Sequence, residues 1–205
     1  MLKYPFVILF VSLILAGCIS PIYMKYGNPA PVQTAEKKAI LLVDDRTMPK
    51  YGFLDSRSAE RKIFQLLKNE YEGTLQDPSE TKQLIRAKSL ESTFLALPYT
   101  DSIAIESRKT ELEKIAQIFG ASDLFILTIS EDHMSFTSGF YAPNGSQENN
   151  GYVPGSFVGL TWIDLRSGSI YRQVAYKFPI YGFTLPSRSE LYSKKLVSKI
   201  FGDWN

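Results

Sequence analysis

Apolar residues fall along this chain in two rhythms, short unbroken runs and helical repeats. Ala39-Ile40-Leu41-Leu42-Val43 is an unbroken run closed by Asp44-Asp45, the pattern of a central strand buried on both faces. A second run, residues 123–130, follows Gly120 almost at once. Between them Ile63, Phe64, Leu67 and Tyr71 recur at helical spacing, predicting a helix over residues 59–71 with Ser58 or Asp55 as cap and Gly73 at its end. Residues 74–88 are polar and predict a loop followed by a short helix, and residues 92–97 a strand or a turn of helix before Pro98. Ser107 or Thr110 opens the next helix, with Thr110 and Glu113 spaced as a capping box. Leu112, Ile115, Ala116 and Phe119 share its apolar face, and Gly120 stops it.

Beyond residue 130 the pattern turns to hairpins. Residues 157–164 and 169–178 are strand-like, and the link Leu165-Arg166-Ser167-Gly168 predicts that they pair antiparallel. Residues 136–156, with Gly139, Pro143, Asn144, Gly145, Gly151, Pro154 and Gly155, read as a loop or an extended hairpin tip. A last helix starts at Pro186-Ser187, with Ser187 and Glu190 as a capping box and Leu191, Leu196, Val197, Ile200 and Phe201 as its apolar positions. No internal repeat and no second domain is evident. The expected fold is α/β (α+β): a mixed β-sheet with helices packed on its faces, a carboxyl-terminal β-hairpin and a terminal helix.

The amino terminus follows a different logic. Lys3 precedes an apolar run over residues 6–15, which suits a signal peptide and is too short for a bilayer-spanning helix of roughly 20 residues. Leu15-Ala16-Gly17-Cys18 resembles the bacterial lipobox, whose cysteine is acylated before the peptide is cut on its amino side. The multiple acyl chains that follow hold a protein stably on a membrane. Cys18 is followed by Ile19 rather than by the aspartate that retains enterobacterial lipoproteins at the inner membrane. The expectation is therefore an outer-membrane lipid anchor with the body facing the periplasm. Residues 1–17 would be the signal peptide, 18–37 the lipidated cysteine and a short tether broken by Pro21, Gly27, Asn28, Pro29 and Pro31, and 38–205 a single periplasmic domain.

Charge and rare residues narrow the chemistry. The chain has 205 residues, and its 23 Lys+Arg against 21 Asp+Glu give a formal charge of +2, no basic field for nucleic acid. One cysteine and one histidine exclude a disulfide framework and a conventional zinc site. No phosphate-cradling glycine loop occurs. Asp44 and Asp45 at a strand end, with Asp132 and His133, are the only candidates for acid–base chemistry or ligation. Consecutive strand residues point to opposite faces, so Asp44 and Asp45 read better as a solvated turn that ends the strand, and no nucleophile motif partners His133. The expectation is a protein that is not an enzyme, with no metal, no cofactor beyond the covalent lipid on Cys18, and no small-molecule substrate.

Phe136, Phe140, Tyr141 and Tyr152, with Phe157, stand on a Gly, Ser and Asn background, rigid anchors among adaptable polar groups as on contact surfaces. They suit docking to another protein or contact with a membrane. Phe178, Tyr181, Phe183 and Tyr192 suit core packing.

Residues 112–129, Leu-Glu-Lys-Ile-Ala-Gln-Ile-Phe-Gly-Ala-Ser-Asp-Leu-Phe-Ile-Leu-Thr-Ile, resemble the helix, Gly-Ala-x-Asp turn and strand of the curli-channel lipoprotein superfamily. That group includes the TolB amino-terminal domain and activator lipoproteins of penicillin-binding proteins. Residues 163–170, Ile-Asp-Leu-Arg-Ser-Gly-Ser-Ile, resemble the link between its later strands. The matched residues are structural. The resemblance implies a sheet with helices on its faces and a non-enzymatic role in envelope assembly or export through other envelope proteins or self-association. The alternative is a regulator of a periplasmic enzyme such as a peptidoglycan synthase, which would want a longer tether.

Overall fold

A computed structural model describes residues 22–27, 31–47, 56–90, 108–132, 155–178 and 186–202. Its elements are β1 (Ile22–Gly27), β2 (Lys38–Thr47), α1 (Ser56–Glu70), β3 (Thr74–Leu75), α2 (Pro78–Ala87), α3 (Lys109–Phe119), β4 (Asp123–Asp132), β5 (Gly155–Asp164), β6 (Ile170–Phe178) and α4 (Pro186–Phe201). The strands form one six-stranded sheet in the order β1-β6-β5-β4-β2-β3. β2 runs parallel to β3 and β4, while β4, β5, β6 and β1 pair antiparallel in succession. The mixed α/β sheet that the apolar runs predicted is the observed fold, and the 165–168 link does join an antiparallel pair.

Alternation along the strands divides the core in two. On one face Leu41, Phe125, Leu127, Leu160 and Val174 pack under Ile63 and Leu67 of α1 and Leu196, Val197 and Ile200 of α4. On the other, Ile40, Leu42, Leu124, Ile126, Ile163 and Ile170 pack against Leu112, Ile115 and Phe119 of α3. Each of these buried aliphatic or aromatic side chains contributes roughly 1.5–3 kcal/mol of transfer free energy. Gly120 closes α3 in the left-handed conformation, φ 57°, which glycine adopts without the Cβ penalty. Arg172, 2% exposed, donates to the carbonyls of Ile200 and Gly202, placing a cation at the negative end of α4.

Several local expectations are corrected. β2 does not stop at Asp44-Asp45. Both residues continue the ladder opposite Thr128 and Ile129, because backbone pairing with a long neighbour proceeds whatever the side chain. Thr110 does not cap α3; the helix begins one residue earlier and its N-cap, Arg108, makes no side-chain cap hydrogen bond. α1 begins at Ser56, so Ser58 lies inside it. Leu191 of α4 is 48% exposed rather than buried. Residues 92–97 lie outside the described residues.

The largest correction concerns residues 18–37. Ile22–Gly27 is a strand on the sheet margin, paired along β6 from Ile22 opposite Lys177 to Gly27 opposite Arg172. Pro21 precedes it and Pro29 and Pro31 follow it, so the breakers delimit the strand rather than forbid it. Tyr23 packs on Tyr176 with ring centroids 5.2 Å apart, and Tyr26 adds to the second core.

The registers also give the sheet two distinct ends. Thr47, Asp132, Gly155, Phe178 and Ile22 lie together at one end, and Lys38, Asp123, Asp164, Ile170 and Gly27 at the other. Gly27 has φ 129°, and a Cβ there would stand 2.3 Å from the carbonyl oxygen of Tyr171. Gly27→Val should therefore free β1 while leaving the remaining sheet intact. Hydrogen exchange should show lost amide protection confined to residues 22–27 and their β6 partners; unchanged protection there would refute this account of how β1 docks.

Candidate functional site

The acidic residues singled out from the sequence lie on two neighbouring strands, Asp44 and Asp45 on β2 and Asp132 on β4. Asp44 and Asp45 occupy consecutive ladder positions opposite Thr128 and Ile129. Asp132 ends β4 opposite Gly155, four residues further along than Thr128, which is about 13 Å. His133 lies outside the described residues, as do Cys18, Phe136, Phe140, Tyr141 and Tyr152. Among the described residues no group of three or more His, Cys, Asp and Glu side chains is placed to hold a metal ion, and no helix is long and apolar enough to cross a membrane. Of the second aromatic group, Tyr192 packs on Tyr176 at 5.0 Å. Tyr181 and Phe183 lie outside the described residues.

Polar chemistry gathers instead at the Asp123 end of the sheet. Asp123, 1% exposed, accepts hydrogen bonds from the Tyr71 hydroxyl (2.8 Å), the Trp162 indole (2.9 Å) and the Ser122 hydroxyl (2.7 Å). Around it Tyr71 meets Phe125 edge-on at 5.5 Å, and Trp162 meets Tyr171 edge-on at 5.5 Å and Phe201 at 5.2 Å. Aromatic pairs in such geometries add to their area burial. Asp123 was legible in the sequence only as the last residue of the Gly-Ala-x-Asp turn. The further signal was an acid at the head of an apolar strand, since such a group must find donors once buried.

Beside this cluster opens a groove of about 790 Å³, formed by residues 34–38, the end of α3, the turn before β4 and the β5–β6 hairpin. Lys37, Lys38, Asp164 and Tyr171 are half-buried in it, while Glu36, Glu113 and Arg166 are exposed. Lys38 Nζ donates to the carbonyl of Phe119 at 2.9 Å, and Lys37 Nζ stands 5.6 Å from the centre of the Tyr171 ring. Asp164 accepts from the Arg166 backbone N–H (2.9 Å) and the Ser167 hydroxyl (2.9 Å). Burial opposes its ionisation, yet these bonds and one from the Tyr171 hydroxyl hold its carboxyl below the usual range. Burial, then the bond to Asp164, pushes the Tyr171 phenol well above its ordinary value. The Tyr71 phenol is raised likewise, by burial first and then by the Asp123 charge.

Sequence reading missed this groove because its parts are far apart in the chain, and because an irregularity between Trp162 and Ile163 breaks the simple alternation of β6 beside Tyr171.

Asp123→Asn keeps the shape but turns one acceptor into a donor facing a donor. It should cost about 2 kcal/mol, read as a lower urea midpoint at unchanged m-value; an unaltered midpoint would remove Asp123 from its central place. Because Tyr71 and Tyr171 are raised in the folded chain, the unfolded chain loses their protons first. Their contribution to stability is whole below pH about 10 and declines as pH rises above it. Urea midpoints between pH 9 and 11.5 should fall less steeply in the Tyr71→Phe, Tyr171→Phe double variant.

No protein-family model matches the chain, and no curated protein matches it. Among solved structures it is similar to the PelC dodecamer from Paraburkholderia phytofirmans, at 14% identity over 88% of this chain and 94% of that one, TM-score 0.40. It is similar also to the LpoB C-terminal domain from Salmonella enterica, at 16% identity over 71% and 84% of the two chains, TM-score 0.42. Lipoprotein GNA1162 from Neisseria meningitidis matches at 15% identity over 82% of this chain and 99% of that one, TM-score 0.39.

Proposed function

We propose that this protein is a lipid-anchored accessory of an envelope assembly or export complex, held at the outer membrane through Cys18 with its body in the periplasm, and acting by protein–protein contact rather than catalysis. The observation that carries the reading is the position of β1. Only residues 19–21 separate Cys18 from Ile22, a reach of at most about 14 Å between the two. Ile22 lies at the sheet end where Asp132 and Gly155 bracket residues 133–154. The strand that follows Cys18 in the sequence therefore starts at the sheet end where the segment carrying Phe136, Phe140, Tyr141 and Tyr152 begins and ends, which favours a function exercised at the membrane surface.

The same shortness weighs against the regulator of a distant periplasmic enzyme, because a regulator of that kind needs a tether long enough to cross the space between.

Cys18→Ala should move the protein from the membrane fraction to the soluble periplasm, and mass spectrometry of the wild-type amino-terminal peptide should show the added acyl mass. A Cys18→Ala protein that stays with the membrane would refute the anchor. Photo-crosslinkers at Tyr141 and Tyr152 should give discrete adducts with copies of the chain or with envelope proteins. Adducts to a single synthase alone would overturn the accessory reading in favour of the regulator.

A further inference from the structure

The strand that leads on from Cys18 carries one edge of a surface patch that the core does not absorb. Tyr23 of β1 packs on Tyr176 of β6, and Tyr176 meets Tyr192 of α4 edge-on. Lys195 Nζ stands 4.9 Å from the centre of the Tyr192 ring, and Leu191 precedes Tyr192 in the helix. Tyr23 and Leu191, 37% and 48% exposed, are two of the three exposed large hydrophobic residues among the described ones. We propose that this patch rests on the anionic phospholipid headgroups of the membrane that holds Cys18; the inference deepens, and depends on, the lipid-anchored reading above.

Position brings the patch to the membrane. Tyr23 follows Cys18 by five residues, so its Cα stands at most about 18 Å from the acylated cysteine. α4 is oriented to match. Tyr192, near its start, meets Tyr176 opposite Tyr23, whereas the carbonyls of Ile200 and Gly202 at its end meet Arg172 opposite Gly27. The early turns of α4 therefore flank the end of β1 that is nearer the anchor.

Charge selects the kind of surface. β1, β6 and α4 together contain seven Lys and Arg and a single acid, Glu190, in a chain whose 23 basic residues are nearly balanced by 21 acidic ones. Lys25 is exposed and lies two positions along from Tyr23, hence on the same face, and Lys194 and Lys195 are exposed on α4. Tyrosines with a wet hydroxyl and lysines on long apolar stems settle at headgroup depth, and each cation there gains an attraction from an anionic leaflet that a neutral one does not supply. A polyanion such as the carboxylates of wall peptides would engage the lysines but leave Leu191 and the Tyr23 ring in water.

The test uses the mature acylated protein carrying Leu191→Cys, labelled there with an environment-sensitive nitrobenzoxadiazole dye; the Cys18 sulfur, consumed by acylation, does not compete for the label. It is added to vesicles of phosphatidylcholine alone or mixed equally with phosphatidylglycerol, each doped with a lipid spin-labelled near its headgroup. Blue-shifted emission and quenching about threefold stronger or more on the anionic vesicles are expected. High salt should reverse both, as should Lys25→Glu combined with Lys195→Glu, with thermal unfolding unchanged. A dye that stays in water on both vesicles, equal quenching on the two, or indifference to the charge reversal would each overturn the proposal. So would protection of the dye, without lipid, by purified peptidoglycan or by a second copy of the chain. Flotation tells the two readings apart: a failed contact leaves acylated protein floating with both kinds of vesicle, whereas a failed anchor shows as a missing acyl mass and no flotation with neutral vesicles, and the proposal falls with it.

Discussion

A carboxylate buried without a cation beside it is tolerated only when several donors converge on it, and the Asp123 end of this sheet is organised to that end. Tyr71 arrives from the residue after α1, Trp162 from β5 and Ser122 from the turn after α3. One side chain therefore fixes how a helix, a hairpin strand and a turn meet. The same geometry sets Trp162 against Tyr171, and Tyr171 in turn braces Asp164 and forms one wall of the groove. The interaction that satisfies the core thus also shapes the surface beside it.

Much of the fold was legible because it rests on side-chain burial, which periodicity reports directly. The runs at 39–43 and 123–130 became neighbouring parallel strands, and Leu112, Ile115 and Phe119 became the face of α3 that covers them. What periodicity does not report is pairing through the backbone alone. β1 escaped notice because an edge strand buries few side chains and is flanked by prolines, and the extension of β2 through Asp44 and Asp45 escaped for a related reason: its ladder partner, not its own polarity, sustains it.

The groove was less legible than the core. Lys37-Lys38, Asp164 and Tyr171 come from segments more than a hundred residues apart, and each is unremarkable alone. Only the registry of β2, β4 and the hairpin brings them to one end of the sheet. The residues that did stand out, Asp44, Asp45 and the acids around His133, were conspicuous by local contrast, and local contrast carries no information about which side chains share a face.

The manner in which β1 joins the sheet has a mechanical corollary. A pull applied through the residues before Ile22 acts along the strand axis, so the backbone bonds to β6 are loaded together in shear rather than opened one after another. Tension applied at the start of β1 is therefore met by the whole β1–β6 ladder at once. The strain-prone glycine that ends the strand marks the far limit of that load-bearing seam.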